Sequence, residues 1–134
     1  LAGPDGWIGS HDVVLAARGT GGGRLRESSD HETHPRVVRS RVHRRDVRVY
    51  ADDVGVVTLG RGLVDRQELS VELFEPGAGG GHGRGLITEA LALVEPGAVV
   101  FAQVAPGNAA SLRAFLSCGF VAIGAETLLR PLIK

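Results

Sequence analysis

The spacing of apolar residues changes period across a glycine-rich run, Pro76-Gly77-Ala78-Gly79-Gly80-Gly81-His82-Gly83-Arg84-Gly85. Before it, Glu68-Leu69-Ser70-Val71-Glu72-Leu73-Phe74 alternates residue by residue, as a half-buried strand does, and this puts Glu68, Ser70 and Glu72 on one face. After it, Leu86, Ile87, Ala90, Leu91 and Val94 recur at helical spacing. A strand that passes through glycines into a helix is the first half of a right-handed crossover, and the apolar run from Ala98 to Val104 is placed to be its parallel neighbour. The unit calls for a mixed, mostly antiparallel sheet with helices on its faces, an α+β (mixed α/β) architecture.

The rest of the chain fits around that unit. Val47, Val49 and Ala51 alternate with polar residues, Asp52-Asp53-Val54-Gly55 turns into Val56-Val57-Thr58-Leu59, and Gly60-Arg61-Gly62 turns again towards Glu68, so an antiparallel meander is expected. Pro35 stands where a helix opens, and the segment from His34 to Arg48 carries Val37, Val38 and Val42. The same segment holds Arg36, Arg39, Arg41, Arg44, Arg45 and Arg48 against Asp46 alone. Pro106-Gly107-Asn108 opens a second helix through Cys118, with Gly119 as its C-terminal stop. Phe120 to Ile123 and Thr127 to Leu132 read as two closing strands, and residues 1 to 32 as one short element, Val13 to Ala17, between glycine loops.

Composition narrows the function classes. At 134 residues the chain suits one domain, 1–134, and 43% hydrophobic with 22% charged residues is an ordinary globular balance. Lys+Arg and Asp+Glu are both 15, so no global field recruits nucleic acid or an anionic membrane. The arginine run lacks interleaved aromatics, which makes a nucleic-acid partner an unfavoured reading and a solvated helix face the favoured one. Cys118 is alone and no Cys/His cluster has zinc spacing, so neither disulfide nor metal is expected. No apolar run approaches the ~18 residues of a membrane span and no basic-then-apolar leader is present, so the expectation is a soluble, cytoplasmic protein with no membrane partner.

A helix N-terminus preceded by glycines offers unpaired N–H groups and a partial positive charge to an anion. Two readings stand, a phosphate cradle and a plain strand-to-helix turn. A Walker loop is excluded, because Gly-Lys-Ser/Thr does not stand at the helix start. A dinucleotide fold is disfavoured, since the loop follows the third strand of a meander and does not open a βαβ unit.

Two motifs in this order resemble the GNAT superfamily of N-acetyltransferases, over roughly Val47 to the C-terminus. The family's phosphate loop, Gln/Arg-x-x-Gly-x-Gly/Ala, corresponds to Ala78-Gly79-Gly80-Gly81-His82-Gly83, with Ala78 in place of Arg or Gln; a register two places on would use Gly83 and Gly85. The second, Asn-x-x-Ala/Ser-(x)3-Tyr/Leu-(x)3-Gly-Phe, corresponds to Asn108-Ala109-Ala110-Ser111-Leu112-Arg113-Ala114-Phe115-Leu116-Ser117-Cys118-Gly119-Phe120. Over residues 1–45 the resemblance is faint, and the acceptor-side region there reads as shortened or atypical.

The resemblance implies an acyl-CoA N-acyltransferase fold with acetyl-CoA as cosubstrate and no metal. The pyrophosphate would rest on the amides of Gly81, His82, Gly83 and Arg84, with Gly79 and Gly85 shaping the loop. Pantetheine would pair along Val71, Leu73 and Phe74, with an N–H near Leu73 as oxyanion donor. Asn108 can cap its helix and, as the resemblance implies, contact the pantetheine or phosphate; Ser111 and Phe115 join it among the cofactor-binding residues, and Phe115 stands where many members carry a tyrosine that protonates the thiolate. Glu68, Glu72 and Ser111 are the catalytic candidates, the carboxylates as general base, directly or through water, or else as paired surface groups, and Ser111 through a held water or else as a helix-surface or capping hydroxyl. The acceptor is a small-molecule or protein amine, the alternative function is an acetyl-CoA-binding module without turnover, and a homodimer through Thr127 to Ile133 is an option. Arg84 reads equally as a phosphate contact or a solvated side chain, and Cys118 as core.

Overall fold

The structure, a computed structural model, describes residues 6–75 and 81–131, with side chains over 11–75 and 81–126. Strand β1 is Gly6–Arg18, β2 Arg26–Glu27, helix α1 Pro35–His43, β3 Arg45–Ala51 and β4 Gly55–Arg61. After a 3-10 turn at Leu63–Asp65 come β5 Gln67–Leu73, α2 His82–Leu91, β6 Val99–Val104, α3 Ala109–Ser117 and β7 Val121–Pro131. The strands form one sheet in the order β2-β3-β4-β5-β6-β1-β7. Every neighbouring pair is antiparallel except β5–β6, which is parallel, as the glycine-linked crossover requires. The meander is β3-β4-β5, with Val57 opposite Val71 and Leu59 opposite Leu69.

Alternation along β4 and β5 separates two layers. Val57, Leu59 and Leu69 face α2 and α3, where they meet Leu15, Leu86, Ile87, Ala90, Leu91, Phe115 and Phe120 in the main core. Burying a Leu or Ile side chain of this kind contributes about 1.5–3 kcal/mol. The opposite face, with Val56, carries α1 and a smaller cluster of Val37, Val49 and Val56. Helix α1 is less apolar than its three valines suggest: Val37 is buried, but Val38 and Val42 are exposed and Ser40 is buried in their stead. Its start is secured by His34, whose Nδ1 accepts from the Arg36 N–H at 3.1 Å, with Pro35 at the first helical position.

Two expectations are corrected. Residues 1–32 supply not a short element but the 13-residue β1, which is threaded between β6 and β7 and pairs with both, Val13 lying opposite Val104 and Ala125. The two closing strands are instead one, β7, through Pro131; Leu132 to Ile133 lie outside the described residues. Between the two expected segments Gly124 pairs with Val14, and a register shift before the Leu15–Ala122 pair is absorbed without ending the strand. The chain leaves β1 by crossing the C-terminal end of α2, where the N–H groups of Thr20 and Gly21 donate to the carbonyls of Leu91 and Val94. Gly19 is needed there, since a Cβ would lie 2.4 Å from the Glu95 carbonyl oxygen.

Candidate active site

The parallel ladder between β5 and β6 is two residue pairs long, Glu68 with Phe101 and Leu69 with Ala102. Beyond it, Ser70–Leu73 and Gln103–Val104 continue as strands without ladder pairs between them, and the sheet opens as a fork. The N–H of Phe74 donates to Val54 on the β4 side. Because successive strand residues point their N–H groups to opposite sides, those of Leu73 and Val71 point into the fork. An unpaired strand edge with inward donors is a docking edge for an extended ligand.

Both helices that follow the forked strands begin at this end, and their N-termini differ. Asn108 caps α3, its side-chain oxygen accepting from the Ser111 N–H at 3.1 Å. Among the described residues no side chain caps helix α2: Gly81, at φ +77°, is its N-cap residue, and the N–H groups of His82, Gly83 and Arg84 open the helix at this end. The Arg84 guanidinium folds back over this end, since a Cβ on Gly81 would lie 3.1 Å from its Nη2. Gly83 brings α2 close to α3 and β5, where a Cβ would touch Ala114 and Leu73 at 3.8 and 4.0 Å. Gly79 lies outside the described residues. Gly85 is exposed in the first turn.

On the α1 face, Glu68 and Glu72 share a side of β5 but not an environment. Glu68 is 4% exposed; its Oε1 accepts from Arg44 Nε at 2.8 Å and its Oε2 from Arg66 Nε at 2.6 Å. Arg44 Nη2 also reaches Gln103 Oε1 at 3.2 Å, Gln103 Nε2 donates to Glu126 Oε1, and Arg66 Nη2 reaches Glu126 Oε2 at 2.9 Å. The five side chains close a hydrogen-bonded ring with two cations and two anions. Burial works against the charge of Arg66, but the hydrogen bonds to Glu68 and Glu126 outweigh it and raise its pKa. Its guanidinium also lies 5.1 Å from the centre of the Phe101 ring. Gly62 makes room for the carboxylate, because a Cβ there would fall 2.3 Å from Glu68 Cδ. Beside the ring, Ser40, Thr58 and Ser70 hydrogen-bond one another under α1.

Glu72 stands nearer the open end of the fork and is partly exposed. His34 Nε2 lies 3.2 Å from its Oε2, and Arg36 Nη2 3.3 Å from its Oε1. Because His34 Nδ1 accepts a backbone N–H, its proton belongs on Nε2, facing the carboxylate. Phe74 follows, its ring 5.1 Å from that of His31 and 6.1 Å from that of His34. Ser111 lies half-buried in the first turn of α3. Phe115 points into the core, edge-on to Phe120 at 4.9 Å. Cys118 is half-buried with its Sγ 3.5 Å from the Arg84 carbonyl oxygen.

The arginine run is largely neutralised within the chain: Arg36 pairs with Glu72, Arg41 with Glu32, Arg44 with Glu68, Arg45 with Asp65 and Arg48 with Glu27. Arg39 is exposed. The hydrogen bond from Arg41 holds the Glu32 carboxyl below its ordinary value. Among the described residues no group of three His, Cys, Asp or Glu is arranged to hold a metal, and no helix is long and apolar enough to cross a membrane. Sequence reading missed the partners of both carboxylates. It also missed the two residues that close the ring behind Arg44 and Arg66, for which there was a signal: Gln103 in an apolar strand and Glu126 within Ile123-Gly124-Ala125-Glu126 are each a polar residue on an otherwise apolar segment.

No protein-family model matches the sequence, and no curated protein matches it. Among solved structures, the chain is similar to a protein from Novosphingobium aromaticivorans DSM 12444 assigned to the GNAT family of acetyltransferases. The match has a TM-score of 0.61 at 17% identity and covers 97% of this chain and 69% of that one. The fold is that of a GNAT protein. At 97% of this chain, the match extends beyond the segment from Val47 onwards that carried the sequence motifs.

Proposed function

We propose that the chain is an N-acetyltransferase that moves the acetyl group of acetyl-CoA to a primary amine by direct attack. The observation that carries this reading is the β5–β6 fork with the uncapped N-terminus of α2 at its open end. The two parts suit the two ends of one cosubstrate. The amides of His82, Gly83 and Arg84, with the Arg84 guanidinium, suit a pyrophosphate; the inward N–H groups of Val71 and Leu73 suit the amide-bearing pantetheine arm and the thioester carbonyl. An N–H fixed on a strand needs no reorganisation to meet an oxyanion, and loss of one such donor in a working site costs about 10²–10³ in rate.

The amine approaches from the α1 face. An alkylamine of pKa about 10.4 is neutral in only about one part in 2,500 at pH 7, a shortage of about 4–5 kcal/mol. Glu72 is the base best placed to relieve it: the carboxylate is reachable from solvent, and His34 and Arg36 orient it without enclosing it. Glu68 has both oxygens committed to buried guanidinium groups. Attack forms the N–C bond and the tetrahedral oxyanion at the Leu73 N–H, Glu72 takes the ammonium proton directly or through water, and collapse breaks the C–S bond. The thiolate, with a cysteine-like pKa near 8.5, takes its proton from water. Phe115 supplies no acid, and Ser111 lines the α3 side.

Calorimetric titration with acetyl-CoA, with ATP and NAD as controls, followed by thiol release over an amine panel, tests the proposal. Micromolar binding selective for acetyl-CoA and amine-dependent release are expected. Glu72→Gln is expected to lower turnover by about 10²–10⁴ with binding intact. Binding without release for any amine would favour the acetyl-CoA-binding module, and absence of binding to folded protein refutes both.

A further inference from the structure

The ring of Arg44, Glu68, Arg66, Glu126 and Gln103 stands under the place where β5 and β6 part. Its members come from the C-terminal end of α1, from β5, from the turn before β5, from β7 and from β6. Gln103 is its one member on β6, the first residue past the last ladder pair and opposite Val14 of β1. It accepts from Arg44 and donates to Glu126. Arg44 in turn bridges Glu68, on the other arm of the fork, to Gln103. Where backbone pairing between the arms stops, this side-chain bridge takes over, and Arg66 stacks on Phe101 of the final ladder turn.

We propose that Gln103 is a positioning residue: through Arg44 it ties β6 to β5 at the apex of the fork and sets the width of the opening that receives acetyl-CoA. A two-pair parallel ladder is a short hinge, and the ring makes it rigid. It does so without net charge, so the tie neither attracts nor repels the anionic cosubstrate. Because Arg44 follows the last turn of α1, and Arg36 and His34 at the helix start hold Glu72, one helix registers the base against the opening. The inference rests on the acetyl-CoA reading above for its functional part only; the tie itself is a statement about two strands.

The test is Gln103→Met, which keeps all four charges and opens the ring only at β6, with Gln103→Asn, one methylene shorter, as a second variant. Val49→Ala, in the α1 cluster away from the ring, is the control for general loss of stability. Hydrogen exchange of ligand-free protein is expected to show the β5–β6 ladder amides, Leu69 and Gln103 among them, exchanging at least tenfold faster in the Gln103 variants. Amides of the β3–β4 ladder should hold, and Val49→Ala should not reproduce the selectivity. Acetyl-CoA affinity is expected to fall at least tenfold in the Gln103 variants and by less than threefold in the control. Uniform or unchanged exchange overturns the tie, and selective exchange with unaltered affinity overturns its role in the opening. If the unsubstituted protein binds no acetyl-CoA, the proposed function fails while the exchange data still decide the tie.

Discussion

Replacing Glu68 with glutamine tests whether its carboxylate is a buried structural anion. The two side chains have the same shape, so the change removes a charge and little else. Glu68 accepts from Arg44 at 2.8 Å and from Arg66 at 2.6 Å, and the three side chains are 6%, 10% and 15% exposed. Glutamine can offer its oxygen to one guanidinium but must turn an NH₂ towards the other, leaving an excess positive charge in a site with little water. Arg66 keeps Glu126; Arg44 loses its carboxylate. Removing one partner of a buried ion pair costs about 3–5 kcal/mol, a large share of the ~5–15 kcal/mol that holds a domain together. In urea, with a slope of ~1–3 kcal/mol per molar, the midpoint should fall by roughly 2 M. Glu72→Gln, at a carboxylate in contact with water, should cost no more than about 1 kcal/mol. A Glu68→Gln protein within about 1 kcal/mol of the parent would refute the reading of Glu68 as the buried anion of the ring.

Other expectations follow from single contacts. Gly62→Ala places a methyl group 2.3 Å from Glu68 Cδ and should reproduce much of the Glu68→Gln loss in the same urea measurement. Asn108→Ala removes the α3 cap at Ser111 and should cost ~1 kcal/mol. Phe115→Ala empties a core position 5% exposed and should cost ~3–5 kcal/mol. Since Arg41 lowers the Glu32 pKa from 4.5 in the folded state, the pair's contribution is present above about pH 4.5 and fades as pH falls through the lower folded value; thermal melts from pH 7 to 3 should show Glu32→Gln with a shallower acid limb, and added salt should shrink the difference.

The crossover was legible because each of its parts has a local cause. Alternation makes β5, the 3.6-residue spacing makes α2, and Asn108 and Gly119 bracket α3 from within three residues of its ends. The strand β1 was not, because Gly6 and Gly9 read as loop when the strand that takes them up, β7, lies far along the chain: Gly6 pairs with Pro131, and a register shift between Ile8 and Ser10 passes over Gly9. For the same reason alternation could group Glu68 with Glu72 but not tell them apart: the difference lies in Arg44, in Gln103 and in an α1 whose register buries Ser40 and exposes Val42. A candidate base is recognisable by type and face. Whether it is free to act depends on residues that only the fold brings near.

The strand β1 lies in the interior of the sheet, yet the residues it needs on either side come roughly eighty or more positions later, Val99 for Arg18 and Val104 for Val13 on one flank and Ala125 for Val13 on the other. During synthesis at ~5–20 residues per second this apolar segment is out of the ribosome for several seconds before either neighbour exists. The meander and α2 can form in that interval, but the sheet closes only when β1 is inserted between β6 and β7. The late step of folding, and the exposure to wrong partners, are therefore expected at β1, the strand that backs the β6 arm of the fork through Val13–Val104 and Val14–Gln103.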